Sequence, residues 1–232
     1  MDSRNSIGNS GAARAVSARS ELVRKCYLNL AAAFAVFVCL EAFLMSWQPA
    51  VDLAYKMVGG NNWFIVLLAF MGVSWVANSW AYSRKSLGMQ YAGLYLYVVA
   101  EAVIFLPLML IADRIAPDAI PQAAILTFAL ALGISAYAFF SGRDFSFLGG
   151  ILTILSFVAL GLIVCSIFFG LQLGFWFSGA MIVFAAFAVL YQTSMIINRF
   201  APDQHVAAAL GLFAAIALMF WYILQFLISR RD

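Results

Sequence analysis

Two glutamates lie inside long apolar segments of this sequence, and they are the first residues to consider for chemistry. Glu101 lies near the middle of the apolar segment 88–112, and Glu41 lies toward the end of the segment 26–47. If these segments cross a bilayer, an acid inside them is energetically costly and is a candidate for contact with an ion or a proton. The alternative is a protonated carboxyl that hydrogen-bonds to a neighbouring helix, which we favour for Glu41.

Three consecutive polar residues form a second candidate group. Gln192, Thr193 and Ser194 lie near the end of another apolar segment. Polar side chains at membrane depth need hydrogen-bond partners. These three could line the mouth of a pore, or they could bond to adjacent helices, and the sequence leaves both interpretations open.

Motifs of soluble enzymes and of cofactor binding are absent from the sequence. It has neither a glycine-rich phosphate loop nor a hydrolase, kinase or metalloprotease motif. Its three cysteines lie in apolar segments, and it has one histidine, so no metal-ligand spacing is present. We therefore expect no enzymatic activity, no cofactor, no metal site and no nucleic-acid partner.

The composition predicts an all-α integral membrane protein. Hydrophobic residues make up 66% of the 232 residues and charged residues 10%, with a mean hydropathy of +0.99. A soluble domain is about 45–50% apolar and about 25% charged. A membrane-spanning helix needs about 20 apolar residues, and the chain has seven such segments. They are 26–47, 63–82, 88–112, 122–141, 145–169, a sixth that follows the turn at 170–174 and ends near 197, and 206–228, with a polar loop over 48–62 between the first two.

The segments predict one seven-helix bundle over 26–228, after a disordered cytoplasmic tail over 1–25 and before a short polar C-terminus over 229–232. With the tail in the cytoplasm, most of the 13 Lys and Arg residues lie on the cytoplasmic side, as the positive-inside rule requires. Arg230 and Arg231 do not fit this arrangement. A last segment that re-enters, giving six spans, therefore stays open.

Three segments resemble the Bax inhibitor family, also called the transmembrane Bax-inhibitor-motif family. Residues 141–152, SGRDFSFLGGIL, are similar to the basic loop and Phe-Leu-Gly-Gly stretch that open the family's fifth helix. Residues 190–197, LYQTSMII, are similar to an aromatic-Asp-Thr-Gln segment in its sixth helix, and Glu101-Ala102 with Pro107 is similar to a Glu-Gly stretch in its third. The resemblance covers about residues 25–228 and implies a seven-helix bundle of the Bax-inhibitor type.

The resemblance also implies a function. It implies a pH-sensitive calcium leak and, in some members, restraint of cell death or of a membrane protease. The pH sensor it implies is a pair of aspartates, for which this sequence has Gln192 and Ala215. Neither side chain titrates, whereas two close carboxylates would share protons. We therefore expect a cation leak channel, with calcium as the ion, altered or absent pH gating, and Glu101 as the remaining anionic ligand.

A non-conducting membrane partner is the main alternative. It would modulate another membrane protein, such as a protease complex, and the replaced aspartates and the small-residue stripe at Ala207, Gly211 and Ala215 motivate it. A secondary transporter is disfavoured because no internal repeat is evident. We expect a multi-pass protein of the bacterial inner membrane, because no organellar or retention signal is evident. Its partners would be the lipid bilayer, calcium ions and, on the alternative hypothesis, another membrane protein.

Overall fold

The computed structural model describes residues 2–59, 62–83, 86–170 and 173–230, with side chains from residue 17 onward. These residues form α1 (Asp2–Ser46), α2 (Gln48–Val58), α3 (Asn62–Ala81), α4 (Leu87–Ile115), α5 (Ala119–Ser141), α6 (Leu148–Phe169), α7 (Phe175–Asn198) and α8 (His205–Ser229). All of these helices except α2 are long and apolar enough to cross a membrane, α1 through its segment Ser17–Ser46. The predicted all-helical fold with seven spans is therefore confirmed. Arg84, Lys85 and residues 231–232 of the predicted polar C-terminus over 229–232 lie outside the described residues.

Capping residues fix several helix ends. Ser86 precedes α4, and its hydroxyl accepts a hydrogen bond from the Met89 amide at 3.4 Å, as an N-cap residue does. α5 and α6 each end at a glycine with a positive φ, Gly142 at 62° and Gly170 at 66°. A side chain would be strained in this left-handed conformation. These residues therefore stop the helices where the short turns begin.

α8 lies at the centre of the bundle. It packs against α1, α3, α4, α5 and α7, and Val206, Leu212 and Phe213 are fully buried. Ala207 and Ala215 of the small-residue stripe are buried as well. Membrane helices gain little from the hydrophobic effect in lipid, so this close packing is what holds α8 in place.

α6 lies at the periphery. It packs mainly on α7 and meets α3, where the rings of Phe64 and Phe168 lie 5.2 Å apart. Large side chains along α6, such as Ile154, Phe157 and Phe169, are exposed. This helix therefore presents most of its surface outward, which suits a lipid-facing span.

The sequence predicts a disordered tail over 1–25, whereas the structure describes α1 as one helix from Asp2 to Ser46. The segment is rich in Ala and Arg, which favour helix. Leu22 is buried in the core. The Arg19 guanidinium donates hydrogen bonds to the carbonyls of Ile196 at 3.0 Å and Phe200 at 2.8 Å. Part of the expected tail is thus a helix docked on the end of α7.

The predicted loop over 48–62 is also corrected, because it contains α2. Pro49 lies in the first turn of α2, where its missing N–H costs no hydrogen bond. Ala50 and Ala54 lie on one face of the helix and are buried, and they form a cluster with Leu106 and Leu110 of α4. α2 is therefore a short amphipathic helix that lies on α4.

α8 is one continuous helix that runs antiparallel to α7. At its start, Nδ1 of His205 lies within hydrogen-bond distance, 3.0 Å, of Nδ2 of Asn29 in α1. Near its end, the ring of Phe226 stacks on Phe175 at the start of α7, with centroids 4.2 Å apart. The alternative of a re-entrant last segment does not agree with this arrangement.

Contacts between helix ends define two ends of the bundle. The Arg19 end carries the α5–α6 and α7–α8 turns, which are joined by the Asp144–Arg199 ion pair at 2.8 Å. The Trp63 end carries the start of α3 and the last turns of α8, where Trp63 stacks on Trp221 with centroids 6.3 Å apart. The turns that the sequence assigns to one side of the membrane therefore lie together at the Arg19 end.

Candidate functional site

Glu101 lines a cavity of about 450 Å³ between α3, α4, α6, α7 and α8, which we call the Glu101 cavity. The side chain is 5% exposed. Glu101 lies halfway along α4, about 21 Å from either end of that helix at the usual helical rise. The prediction that Glu101 lies deep in the bundle therefore agrees with the structure.

The polar groups of the Glu101 cavity are few and incompletely paired. Oε2 of Glu101 and Oε1 of Gln225 are buried and have no hydrogen-bond partner among the described residues. Tyr222 and Ser166 also line the cavity, and the Ser166 hydroxyl donates to the Ile163 carbonyl at 2.7 Å. A buried polar atom without a partner is unusual. The free oxygens of Glu101 and Gln225 are therefore the groups available to a ligand.

Aromatic rings form much of the cavity wall. Trp63, Phe105 and Trp221 line it together with Phe70 and Phe177. The rings of Phe105 and Trp221 meet edge to face, with centroids 4.9 Å apart. Such packing fixes the rings, so the wall is a preformed surface around the carboxyl.

The cavity extends from Glu101 toward the Trp63 end, and the space toward the Arg19 end is filled. Leu94, Val98 and Phe213 are fully buried there. The Phe213 ring lies 6.2 Å from Tyr97, one helical turn before Glu101, and 4.8 Å from Phe34. We call Leu94, Val98 and Phe213 the Phe213 plug. The structure is thus open on one side of Glu101 and packed on the other.

Glu41 lies in a different cavity, of about 340 Å³, between α1, α4, α5 and α8. The side chain is 3% exposed, and neither carboxyl oxygen has a hydrogen-bond partner among the described residues, nor has the Thr127 hydroxyl. The two candidate acids therefore line separate cavities.

Gln192 packs against α8 at the Arg19 end. Its Oε1 lies 2.8 Å from the position that a Cβ on Gly211 would occupy. Gly211 precedes Ala215 by one helical turn, and Ala215 is buried. The two positions for which the resemblance implies aspartates thus lie on the same α7–α8 interface.

Thr193 and Ser194 take part in hydrogen bonds that join helices and turns. Oγ1 of Thr193 lies 3.3 Å from Oγ of Ser135 in α5. The Ser194 hydroxyl accepts a hydrogen bond from the Phe145 amide at 2.8 Å and donates to Asp144 at 3.5 Å. Neither residue lines the Glu101 cavity. Of the two interpretations that the sequence left open, the contacts agree with interhelical bonding.

An ion pair joins the two turns at the Arg19 end. Asp144 accepts hydrogen bonds from the Ser146 amide at 2.9 Å and from Arg199 at 2.8 Å. These contacts, first those of Ser146 and then the Arg199 guanidinium, hold the pKa of Asp144 below its ordinary value. The pair is exposed, so its main effect is to position the start of α6.

A conventional metal centre is not built by the described residues. They contain no group of three or more His, Cys, Asp or Glu side chains that could hold a metal ion. Calcium sites in proteins commonly use about six to eight oxygen ligands. The described residues therefore contain no cluster of acidic side chains of that kind.

The comparison with known proteins bears on this arrangement. Residues 19–232 match the family model described as "Inhibitor of apoptosis-promoting Bax1". The chain belongs to the Bax inhibitor family. The match includes the seven long helices and begins at Arg19, the residue that docks α1 on α7.

Relatives in the Bax inhibitor family come from bacteria and from mouse. An uncharacterized protein of Pseudomonas aeruginosa is 36% identical over 109 residues, which are 46% of this chain and 48% of that protein. An uncharacterized protein of Neisseria meningitidis serogroup A is 28% identical over 176 residues, 73% of this chain and 75% of that protein. Mouse protein lifeguard 4 is 32% identical over 115 residues, 46% of this chain and 45% of that protein. The matches thus span about half the length of the Pseudomonas and mouse proteins.

Of the residues that line the Glu101 cavity, the sequence names Glu101 alone as a candidate in this Bax inhibitor family member. The residues that it misses include Trp63, Trp221, Tyr222 and Gln225. A signal is present in the sequence, because Gln225 is an amide inside the last apolar segment and Tyr222 lies three residues before it. Residues at this spacing share a helix face, and polar groups inside a membrane span point to function.

Proposed function

We propose that this Bax inhibitor family member is a cation leak channel, with calcium as the ion and Glu101 as its acidic ligand. The observation that carries the proposal is the Glu101 carboxyl, whose Oε2 is buried without a hydrogen-bond partner among the described residues. It lies halfway across the bundle and lines a cavity extending toward the Trp63 end. Acidic side chains in membrane pores attract cations and weaken the barrier to their entry. We propose a channel and no catalytic reaction.

The Phe213 plug gives the proposal a closed state. An ion that reaches Glu101 from the Trp63 end meets the packed side chains of Leu94, Val98 and Phe213. Conduction requires these side chains to separate, for which α4 and α8 must move relative to each other. Bundles switch between discrete packings of this kind.

Gating by pH would differ from the family type. Gln192 and Ala215 replace the aspartates that the resemblance implies, and an amide and a methyl group do not titrate between about pH 6 and about pH 8. The proposal therefore includes a leak with altered or absent pH gating in that window.

The proposed location is the bacterial inner membrane, with the Arg19 end in the cytoplasm. Arg19, Lys25 and Arg199 lie at that end, and the positive-inside rule places such residues in the cytoplasm. The Glu101 cavity would then extend toward the outer side. A membrane-impermeant thiol reagent, applied to intact cells that carry Arg199→Cys or Trp176→Cys in a variant without Cys26, Cys39 and Cys165, tests this orientation. We expect labelling of Trp176→Cys only.

The test of conduction is calcium influx into dye-loaded liposomes that contain the purified protein, recorded from about pH 6 to about pH 8. We expect protein-dependent influx without the switch that a titrating pair of aspartates would give across this range. Glu101→Gln keeps the shape of the side chain and removes its charge, and we expect about a tenfold loss of influx. Glu41→Gln is the matched control, and we expect less than about a twofold change because Glu41 lines another cavity.

Two outcomes would overturn parts of the proposal. Influx no greater than in empty liposomes at every pH would end the channel hypothesis. Influx that Glu101→Gln leaves unchanged would remove Glu101 from the pathway, and a loss in Glu41→Gln instead would move the pathway to the cavity of Glu41.

A second candidate function is a non-conducting partner that modulates another membrane protein, such as a protease complex. The observation that favours it is the packing of the Arg19 half, where the Phe213 plug fills the space between the helices. Crosslinking in native membranes, followed by purification, should then recover a stoichiometric membrane-protein partner. Recovery of the chain alone would count against this function.

A further inference from the structure

The Glu101 cavity has the size and the wall of a small-molecule site. Its volume of about 450 Å³ lies within the range of about 300–1,000 Å³ that is common for ligand pockets. Its wall is mainly aromatic and aliphatic, with the rings of Trp63, Phe105, Phe177 and Trp221. A pathway for a hydrated metal ion does not need an aromatic and aliphatic wall. Such a wall suits a ligand with an apolar body.

None of the described residues that line this cavity supplies a counter-charge to Glu101. The described ion pairs join Lys25 to Glu21 and Arg199 to Asp144, and no Lys, Arg or His is among the described residues that line the cavity. Oε2 of Glu101 has no hydrogen-bond partner there either. A carboxyl buried in this way is matched best by a group that brings both a positive charge and hydrogen-bonding or dispersion contacts.

We infer that the Glu101 cavity binds a hydrophobic organic cation, an ammonium group carried on an apolar or aromatic body. Ammonium groups are attracted to aromatic rings as well as to carboxylates, and the two together are a known recognition arrangement. A tightly held calcium ion would need about six to eight oxygens, whereas the described lining residues with side-chain oxygens are Glu101, Ser166, Tyr222 and Gln225. The wall therefore suits an organic cation better than a tightly bound metal ion.

The position of the cavity fits a ligand that arrives from the bilayer. Leu67 and Phe70 of α3 line it on one side, and Ile163 and Ile167 of α6 line it on the other. α6 is the peripheral helix, and its contact with α3 is small. A molecule with an apolar body can partition into lipid and enter between these two helices, with its charged end directed to Glu101.

The inference goes beyond the proposed function and does not need conduction. Binding of an organic cation and passage of calcium share Glu101, but each has its own readout. Binding without calcium influx would sustain the inference and end the channel proposal. Calcium influx without binding of an organic cation would sustain the channel proposal and end the inference.

The test uses a matched pair of probes. One is 4-phenylbutyltrimethylammonium, and the other is its neutral carbon analogue, (5,5-dimethylhexyl)benzene, in which carbon replaces the nitrogen. Both are radiolabelled and equilibrated with nanodiscs that contain the protein, and binding to empty nanodiscs is subtracted at equal probe concentration in the membrane. We expect saturable binding of the ammonium probe, at least about tenfold tighter than binding of the neutral analogue.

Three variants locate the site. Glu101→Gln should weaken binding of the ammonium probe by about tenfold and leave the neutral analogue unchanged. Trp221→Leu should weaken the ammonium probe more than the neutral analogue, because it removes an aromatic ring from the wall. Glu41→Gln is the control and should change neither, since Glu41 lines the other cavity. Thermal unfolding of each variant in the same nanodiscs shows that the fold is retained.

Three results would overturn the inference. Equal affinity for the two probes would show a merely apolar cavity. Unchanged ammonium binding in Glu101→Gln would place the charge recognition elsewhere. Absence of saturable binding by the wild-type protein would show that the cavity does not accept this class of molecule.

Discussion

α6 and α8 are both long apolar helices, and α6 is the more apolar of the two. Yet 72% of the residues in the most apolar stretch of α8 are buried inside the bundle, against 11% in α6. The two helices differ in side-chain size, since α8 has alanine at 207–209, 214, 215 and 217, and α6 consists mainly of Leu, Ile, Val and Phe. In lipid, where apolarity alone gives no gain on association, small residues that permit close contact select the central helix.

The same difference explains where the candidate site lies. The Phe213 plug is built on the tightly packed side of α4 and α8. The Glu101 cavity lies where α4 and α8 face the loosely attached α6. Packing is dense on one side of Glu101 and sparse on the other. The Glu101 carboxyl therefore lies at the boundary between the Phe213 plug and the Glu101 cavity.

Among changes that test the difference between α8 and α6, Phe213→Ala has the largest expected effect on stability. Loss of the ring leaves a void in the centre of α8, and we expect unfolding to become easier by about 2–4 kcal/mol. Phe157→Ala is the matched change on α6, where the side chain is 71% exposed. We expect it to alter stability by less than about 0.5 kcal/mol. Denaturation with sodium dodecyl sulfate in mixed micelles, followed by tryptophan fluorescence, measures both.

The same two variants also test the proposed channel function. If the protein conducts, Phe213→Ala should raise calcium influx because it widens the plug, and Phe157→Ala should not. Equal loss of stability in the two variants would contradict the central position of α8. Unchanged influx in a stable Phe213→Ala protein would contradict the role of the plug.

Gly93→Ala is expected to have the next largest effect. A Cβ at Gly93 in α4 would lie 2.5 Å from the carbonyl oxygen of Ala77 and 2.6 Å from the amide nitrogen of Ala81, both backbone atoms of α3. Backbone cannot rotate aside, so the helices must separate, and we expect a loss of about 1–3 kcal/mol. Gly161→Ala on α6 has no atom within 4 Å of the added methyl. It should be neutral or stabilising by up to about 1 kcal/mol. A Gly93→Ala protein as stable as wild type would show that α3 and α4 lie further apart.

The seven spans and Glu101 could be predicted from the sequence, and the helix positions could not. Each span is a long apolar segment, and an acid inside one stands out because it is costly there. A buried residue and a lipid-facing residue are equally apolar, so hydropathy cannot tell α8 from α6. The spacing of small residues does distinguish the two helices, as the stripe at Ala207, Gly211 and Ala215 indicates. It does not reveal which helix packs against that stripe.

The polar segment at Gln192 shows a second limit. Polarity at membrane depth is the same for a pore lining and for an interhelical hydrogen bond, so the sequence could not choose between them. The choice depends on which atoms lie opposite, and Thr193 meets Ser135 whereas Ser194 meets Phe145. Partners more than forty residues away in the chain, at separations of 58 and 49 residues, become neighbours through packing alone.

The smallest expected effect is at Asp144, whose contacts hold the start of α6 at the Arg19 end. Hydrogen bonds from Ser146 and then the Arg199 guanidinium hold the pKa of Asp144 below its ordinary value of 3.8. The stability that the carboxylate contributes is therefore complete above that pH and is lost as the pH falls below it through the lowered pKa. Asp144→Asn should lower the unfolding midpoint slightly at neutral pH, because the pair is exposed, and the difference from wild type should shrink as the solution is acidified below 3.8.

Asp203→Asn is the matched control for Asp144→Asn, since Asp203 lies in the α7–α8 turn at the same end and has no ion pair among the described contacts. It should show no such pH-dependent difference. A deficit of Asp144→Asn that persists in acid would mean that the side chain holds α6 through its shape and hydrogen bonds and not through its charge. A deficit that disappears in acid would show that α6, unlike α8, is held in part by a single exposed charge.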